Sequence, residues 1–428
     1  MKMLKLNKSF IYKIECFYLI LVSFLFLYGI SMPVVVNSSY VAFFFIFILM
    51  LRRNVFECSI YILKSKIVLL LILCISLLIY FSIFTSVING TYDFSILPTH
   101  VNNLATIFFS IVCTSYFIVM KDKYDISLYK LLSIIFLLQC FFVILMLLSP
   151  SFSMLVQSVT KTEAQISRLS SYNGIRGLGL TGFVAFGFSI TMGILYPIMS
   201  YWIKYESKLN DFFKILILLI GAICSLSAGR TSILGIFIGL FIVIYPIRIE
   251  INYILRSMKV YFIIIAILIA LIYIIFNNKE LTNIAIFYSR YVFQSIWNYI
   301  EYGSFSVQSL EHLDSMYFYP DDLNWLIGSG HYTNADGSYY MHTDAGYMRF
   351  ILYFGLIGSL IAYVCFILFS LTTIGSLNDK VIQLILILIF LSSFIYHYKG
   401  EVIMFSVPYN RVYFLIFFWS YFNNRLSI

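Results

Sequence analysis

Residues 67–88, IVLLLILCISLLIYFSIFTSVI, hold 22 consecutive positions without one charged side chain. A bilayer core accepts a run of roughly 20 apolar residues as a spanning helix, because the helix bonds its own backbone groups where no water can. Comparable runs recur along the chain. They predict twelve transmembrane helices, near 16–30, 35–51, 67–87, 104–120, 128–148, 183–202, 213–226, 231–247, 260–276, 350–371, 381–396 and 402–422. The runs are continuous and do not alternate, which excludes a membrane β-barrel. With 61% hydrophobic and 11% charged residues, no soluble core could enclose the 43 phenylalanines and 35 tyrosines. The fold class is therefore all-α and polytopic, a single membrane domain over 1–428. The basic, then apolar start MKMLKLNKSFIYKIECFYLILVSFLFL lacks an A-x-A-like site, so an uncleaved first helix is expected.

Lysines and arginines set the expected orientation. With the N-terminus in the cytoplasm, Lys2 to Lys13, Arg52, Arg53, Lys64, Lys66, Lys121, Lys204, Arg256, Lys380 and Arg425 all fall inside or at the inner boundary. That distribution obeys the positive-inside rule and places both termini in the cytoplasm. The +9 charge is thus read as orientation, and no nucleic-acid partner is expected. Two external loops follow, 149–182 and 277–349, and all five histidines fall on their side of the membrane. The second loop opens with apolar residues at helical spacing over 281–300, predicting a helix that lies on the outer interface, anchored by Tyr and Trp. The seven cysteines are scattered singly and imply no disulfide framework.

Candidate chemistry collects in and beside these loops. Arg230 interrupts two apolar runs in SLSAGRTSIL, and Arg176 precedes GLGLTG. The glycine pattern lacks the strand–turn–helix setting of a dinucleotide site and reads as a compact turn. A lone external arginine is commonly a headgroup anchor, but one pinned by a short turn also suits bidentate phosphate recognition. In HTDAGYMRF, His342, Asp344 and Arg349 form a titratable cluster suited to proton transfer beside an anion. The plainer reading makes Thr343 or Asp344 a helix N-cap. Arg290 and Arg349 are further candidates for an anionic pocket, each also readable as an interfacial anchor. There is no DxD triplet and no zinc-type spacing of His331 and His342, so neither metal nor other cofactor is expected. Tyr317, Phe318, Tyr319, Trp325, Tyr332, Tyr339 and Tyr340 could pack a lid or stack on sugar rings.

Three features in fixed order, RGLGLTGFVAFG, SAGRTSILG and GSG…HTDAGYMRFILYFGLIG, together resemble the Wzy-type O-antigen polymerases, which are related to the O-antigen ligases. The overall plan is similar over nearly the whole chain. The resemblance implies a GT-C-like, metal-independent glycosyltransferase of a bacterial inner membrane. Its donor and acceptor would both be undecaprenyl-diphosphate-linked glycans, with membrane lipids and a chain-length regulator as further partners. Arg176 and Arg230 match the family arginines that hold the diphosphate. Where ligases carry a histidine, this chain has Asp344, which leaves the general base open between Asp344 and His342. The rival readings are a lipid-linked oligosaccharide flippase, a ligase and a capsule polymerase. A flippase should place ionisable residues along its spans, and here Arg411 is the clear exception to their absence.

Overall fold

A computed structural model describes residues 8–31, 37–124, 127–170, 176–183, 185–245, 277, 279–305, 308–320, 323–334 and 336–426. They form an all-α, multi-pass membrane architecture. In order, the helices are α1 (Lys8–Tyr28), α2 (Ser38–Ile46), α3 (Arg53–Leu63), α4 (Lys66–Ile88), α5 (Leu97–Tyr124), α6 (Leu128–Leu148), α7 (Pro150–Thr160), α8 (Glu163–Ser170) and α9 (Ala185–Tyr201). They continue with α10 (Asp211–Ala228), α11 (Ile233–Ile244), α12 (Lys279–Val292), α13 (Gln294–Tyr302), α14 (Gln308–Ser315), α15 (Gly346–Gly375), α16 (Lys380–Lys399) and α17 (Val407–Leu426). Among the described residues, seven helical segments are long and apolar enough to cross a membrane, and α11 is a shorter apolar helix. The sequence-predicted span at 260–276 lies outside the described residues. The one predicted at 35–51 is α2 followed by a short 3-10 turn, Phe47–Leu51, before the amphipathic α3.

α9 and α17 lie at the centre, and nearly every described side chain of α17 from Tyr409 to Phe422 is buried. Aromatic rings fill that centre: Tyr413 stacks on Phe417 at 4.1 Å, and Phe369 meets Phe414, Phe417 and Phe418. Small residues bring α11 against α9. A Cβ on Gly235 would lie 1.8 Å from the Gly193 carbonyl oxygen, so only glycine permits this approach.

α15 is not one continuous helix. At Gly355 the backbone turns to φ 63°, ψ −167°, which frees the carbonyls and amides of the adjoining turns. The segment Trp325–Gly330 occupies the break. Ser329 N donates to Leu352 O at 2.7 Å and Gly330 N to Tyr353 O at 3.2 Å, while Leu356 N donates to Trp325 O at 2.8 Å and Ile357 N to Leu326 O at 3.1 Å. Gly328 and Gly330 both adopt positive φ, and a Cβ on Gly330 would strike the Thr85 backbone at 2.6 Å. The GSG triplet is thus the plug of a broken helix. Asp93 holds the chain just beyond it by accepting from Tyr332 N at 2.7 Å and Thr333 N at 2.8 Å.

Candidate functional site

The turn between α10 and α11 is built to fix one arginine. α10 ends at Ala228, and Ser232 Oγ donates back to Ser225 O at 2.7 Å and to Gly229 O at 2.9 Å. Ser189 on α9 locks the turn by donating to Gly229 O at 2.7 Å and accepting from Ser232 N at 2.9 Å. Arg230 starts a single 3-10 turn, Arg230–Ser232, so its Cα has little freedom. Its guanidinium donates to Gln294 Oε1 and lies 5.3 Å from the centre of the Tyr291 ring.

Arg176 is drawn to the same turn. Gly177 N, beside it, donates to Ser227 O at 2.8 Å. The segment that follows is stapled elsewhere: Thr181 Oγ1 donates to Tyr28 O at 2.9 Å, and Lys161 Nζ donates to the carbonyls of Thr181, at 2.7 Å, and Phe183. Burial lowers the Lys161 ammonium to about 7.

Lys399, at the end of α16, completes the group. Arg230, Arg176 and Asp344 all act electrostatically on it. The reason Asp344 comes so near is Gly346, where a Cβ would lie 2.1 Å from His397 O and 2.5 Å from Gly400 O. Partial desolvation raises the carboxyl of the surface-exposed Asp344 from its ordinary value, against the opposing pull of Arg349, Lys399 and His312. Asp344 is not a helix cap: the N-cap of α15 is Ala345, and the nearby Thr343 Oγ1 accepts from Ala345 N at 3.3 Å. His342 lies next to it, exposed and at φ 52°.

A cavity of about 1070 Å³ extends from Arg230 along α12 and α13 to Glu311 and His312 on α14. Arg290 lines it, paired with Glu301 at 2.8 Å and placed 5.0 Å from the centre of the Trp297 ring. Arg349 does not join this cavity. It is 3% exposed, held between the rings of Tyr332 and Tyr339 at 3.7 and 3.6 Å, and its Nε lies 3.0 Å from Glu401 Oε1. A buried ion pair is not an interfacial anchor, so its sequence-level alternative is replaced. Glu401 also accepts from Tyr332 Oη at 2.9 Å, and burial raises its carboxyl despite both partners.

Of the sequence-level candidates, the fold gathers Arg176, Arg230 and Asp344, sets Arg290 along the adjoining cavity, and turns Arg349 inward. No family model matches the chain, and no curated protein matches it. Lys399, Glu401 and Asp93 were missed in the sequence. The first two stand in YHYKGEV between two apolar runs, where a lysine reads as an end-of-span charge; only their tertiary neighbours distinguish them. Among the remaining histidines, His397 is structural: its Nδ1 accepts from Val402 N and Ile403 N, and Nε2 meets Tyr363 Oη at 3.0 Å.

The arrangement can hold an anion. Lys399 lies within electrostatic reach of Arg176, Arg230 and Asp344, and the three cations come from three separate segments. Preorganised cations of this kind stabilise charge that develops on a departing group.

Proposed function

We propose that this chain is an O-antigen polymerase, a glycosyltransferase that joins undecaprenyl-diphosphate-linked oligosaccharide repeat units in lipopolysaccharide biosynthesis. The observation that carries the reading is that Arg176, Arg230 and Asp344 all act electrostatically on Lys399, with Arg230 also lining a large cavity. In this reading the protein has twelve spans with both termini in the cytoplasm of a bacterial cell. The 149–182 and 277–349 segments then face the periplasm from the inner membrane. The three cations grip the donor diphosphate. An acceptor hydroxyl attacks the anomeric carbon, its proton passes to Asp344, and the carbon–oxygen bond to the diphosphate breaks. The lipid diphosphate departs with the electron pair, neutralised by Arg176, Arg230 and Lys399. His342 is the alternative proton acceptor. Arg290 supports the same anionic cavity through its pair with Glu301.

A lipid-linked oligosaccharide flippase is the second reading, favoured by the broken helix at Gly355 and by buried Arg411, whose guanidinium donates to Phe26 O at 2.6 Å. One gel separates the two. Deleting the chain from its native host is expected to leave lipopolysaccharide capped with a single repeat unit. Loss of all surface antigen points to a flippase or ligase, and an unchanged ladder overturns the polymerase reading.

A further inference from the structure

A second cavity, of about 360 Å³, is lined among others by Thr99, Phe183, Glu401, Phe405, Ser406 and Pro408. We propose that it is a sugar subsite that takes one uncharged ring of the glycan, with Glu401 accepting hydrogen bonds from the ring hydroxyls. The volume is at the small end for ligand pockets, which suits one ring of a longer glycan. Its walls pair two phenylalanines and a proline with the hydroxyl-bearing Thr99 and Ser406, the mixture that a pyranose presents in return.

Among the described residues, Glu401 is the only charged one lining the cavity. A carboxylate there rejects acidic sugars and favours donors, which is the basis for assigning a neutral ring. Its Oε2 accepts from Tyr332 Oη and its Oε1 lies 3.0 Å from Arg349 Nε in an ion pair, and each oxygen retains a further lone pair. The same two partners fix the carboxylate in place, and Tyr339 holds Arg349 from the other face. The receptor is therefore set before the ligand arrives, which lowers the ordering cost of binding. Arg349, Tyr332, Asp344 and Tyr363 are among the charged and titratable groups that interact with Glu401. Asp344 acts electrostatically on both Glu401 and Lys399. The assignment to the acceptor glycan rests on the polymerase reading; the existence of the subsite does not.

The test uses the full chain in nanodiscs and, as probe, the native host's repeat-unit oligosaccharide freed from its lipid, followed by saturation-transfer NMR and calorimetry. Wild type should bind it with measurable affinity. Glu401→Gln should weaken binding about tenfold, as expected for loss of a charge-assisted hydrogen bond. Thr99→Trp should abolish it by filling the cavity, and Ser406→Trp gives a second obstruction should that variant fold poorly. Wild-type affinity in a folded, obstructed variant overturns the subsite. If the wild type binds the oligosaccharide here yet makes no polymer from lipid-linked units, the polymerase reading fails and the subsite stands. Polymer made equally by wild type and obstructed variants, with unchanged binding, leaves the polymerase reading and removes the subsite.

Discussion

At the scale of single residues, the site depends on cations whose backbones are fixed rather than on cations alone. Arg230 sits in one turn of 3-10 helix clamped by Ser189, so shortening its side chain removes a charge from a fixed position. Arg176→Ala and Arg230→Ala are each expected to lower polymer formation about 100-fold, the usual cost of one preorganised stabilising donor. Gel ladders from the native host measure this, and full-length ladders from both variants would return the arginines to lipid anchoring. Lys399→Met should behave the same way, with partial recovery in Lys399→Arg because a charge at the helix end is retained. Asp344 supplies a sign for the pH response. Its carboxyl is raised, so if it accepts the proton, activity falls as pH drops through a value above the ordinary carboxylate range. Asp344→Asn should give a low rate with no such limb in purified protein.

At the scale of elements, the decisive contacts are made by glycines and by loops that replace missing helix hydrogen bonds. Gly235→Val would drive a side chain into the Gly193 carbonyl and part α11 from α9, the helix that also carries Ser189. Loss of folded protein in detergent, read by thermal unfolding, is the expected result. The break at Gly355 is a different kind of element. A non-helical stretch inside an apolar helix is tolerated because Trp325–Gly330 supplies its partners. Gly330→Val combines a positive φ with a clash against Thr85, so it should loosen this plug and the loop beyond it, seen as faster proteolysis near 325–340. GSG was legible in the sequence as a motif. Its task was not, because the partner that it completes lies more than 20 residues further on.

At the scale of the whole molecule, the described helices form one bundle whose polar groups gather where α10, α15 and α16 meet their connecting segments. Lys161, apart from that gathering, gives the fold's stability a pH dependence. Its ammonium is held at about 7 in the fold, against an ordinary value of 10.5. The unfolded chain therefore takes up a proton first as pH falls, so stability declines between about pH 10 and pH 7 and levels off below. Thermal midpoints of wild type should show this slope. Lys161→Met should lack it, while being less stable throughout because the Thr181 and Phe183 carbonyls lose their donor.

The amino-acid sequence by itself determined the solvent in which this chain folds, its helical class and most of its long helices. Uninterrupted apolar runs leave the backbone no other way to satisfy its hydrogen bonds in a bilayer. Local pattern also flagged the short polar interruptions, Arg176, Arg230 and HTDAGY, as places of interest. Only the tertiary structure decided which of them meet. Arg349 stands five residues from Asp344 yet turns inward to Glu401, whereas Lys399, distant in the chain from both arginines, joins them. The physical reason is that burial and Coulomb interaction act through space. A charge at the end of an apolar run looks the same in sequence whether it faces lipid headgroups, a buried carboxylate or two other cations.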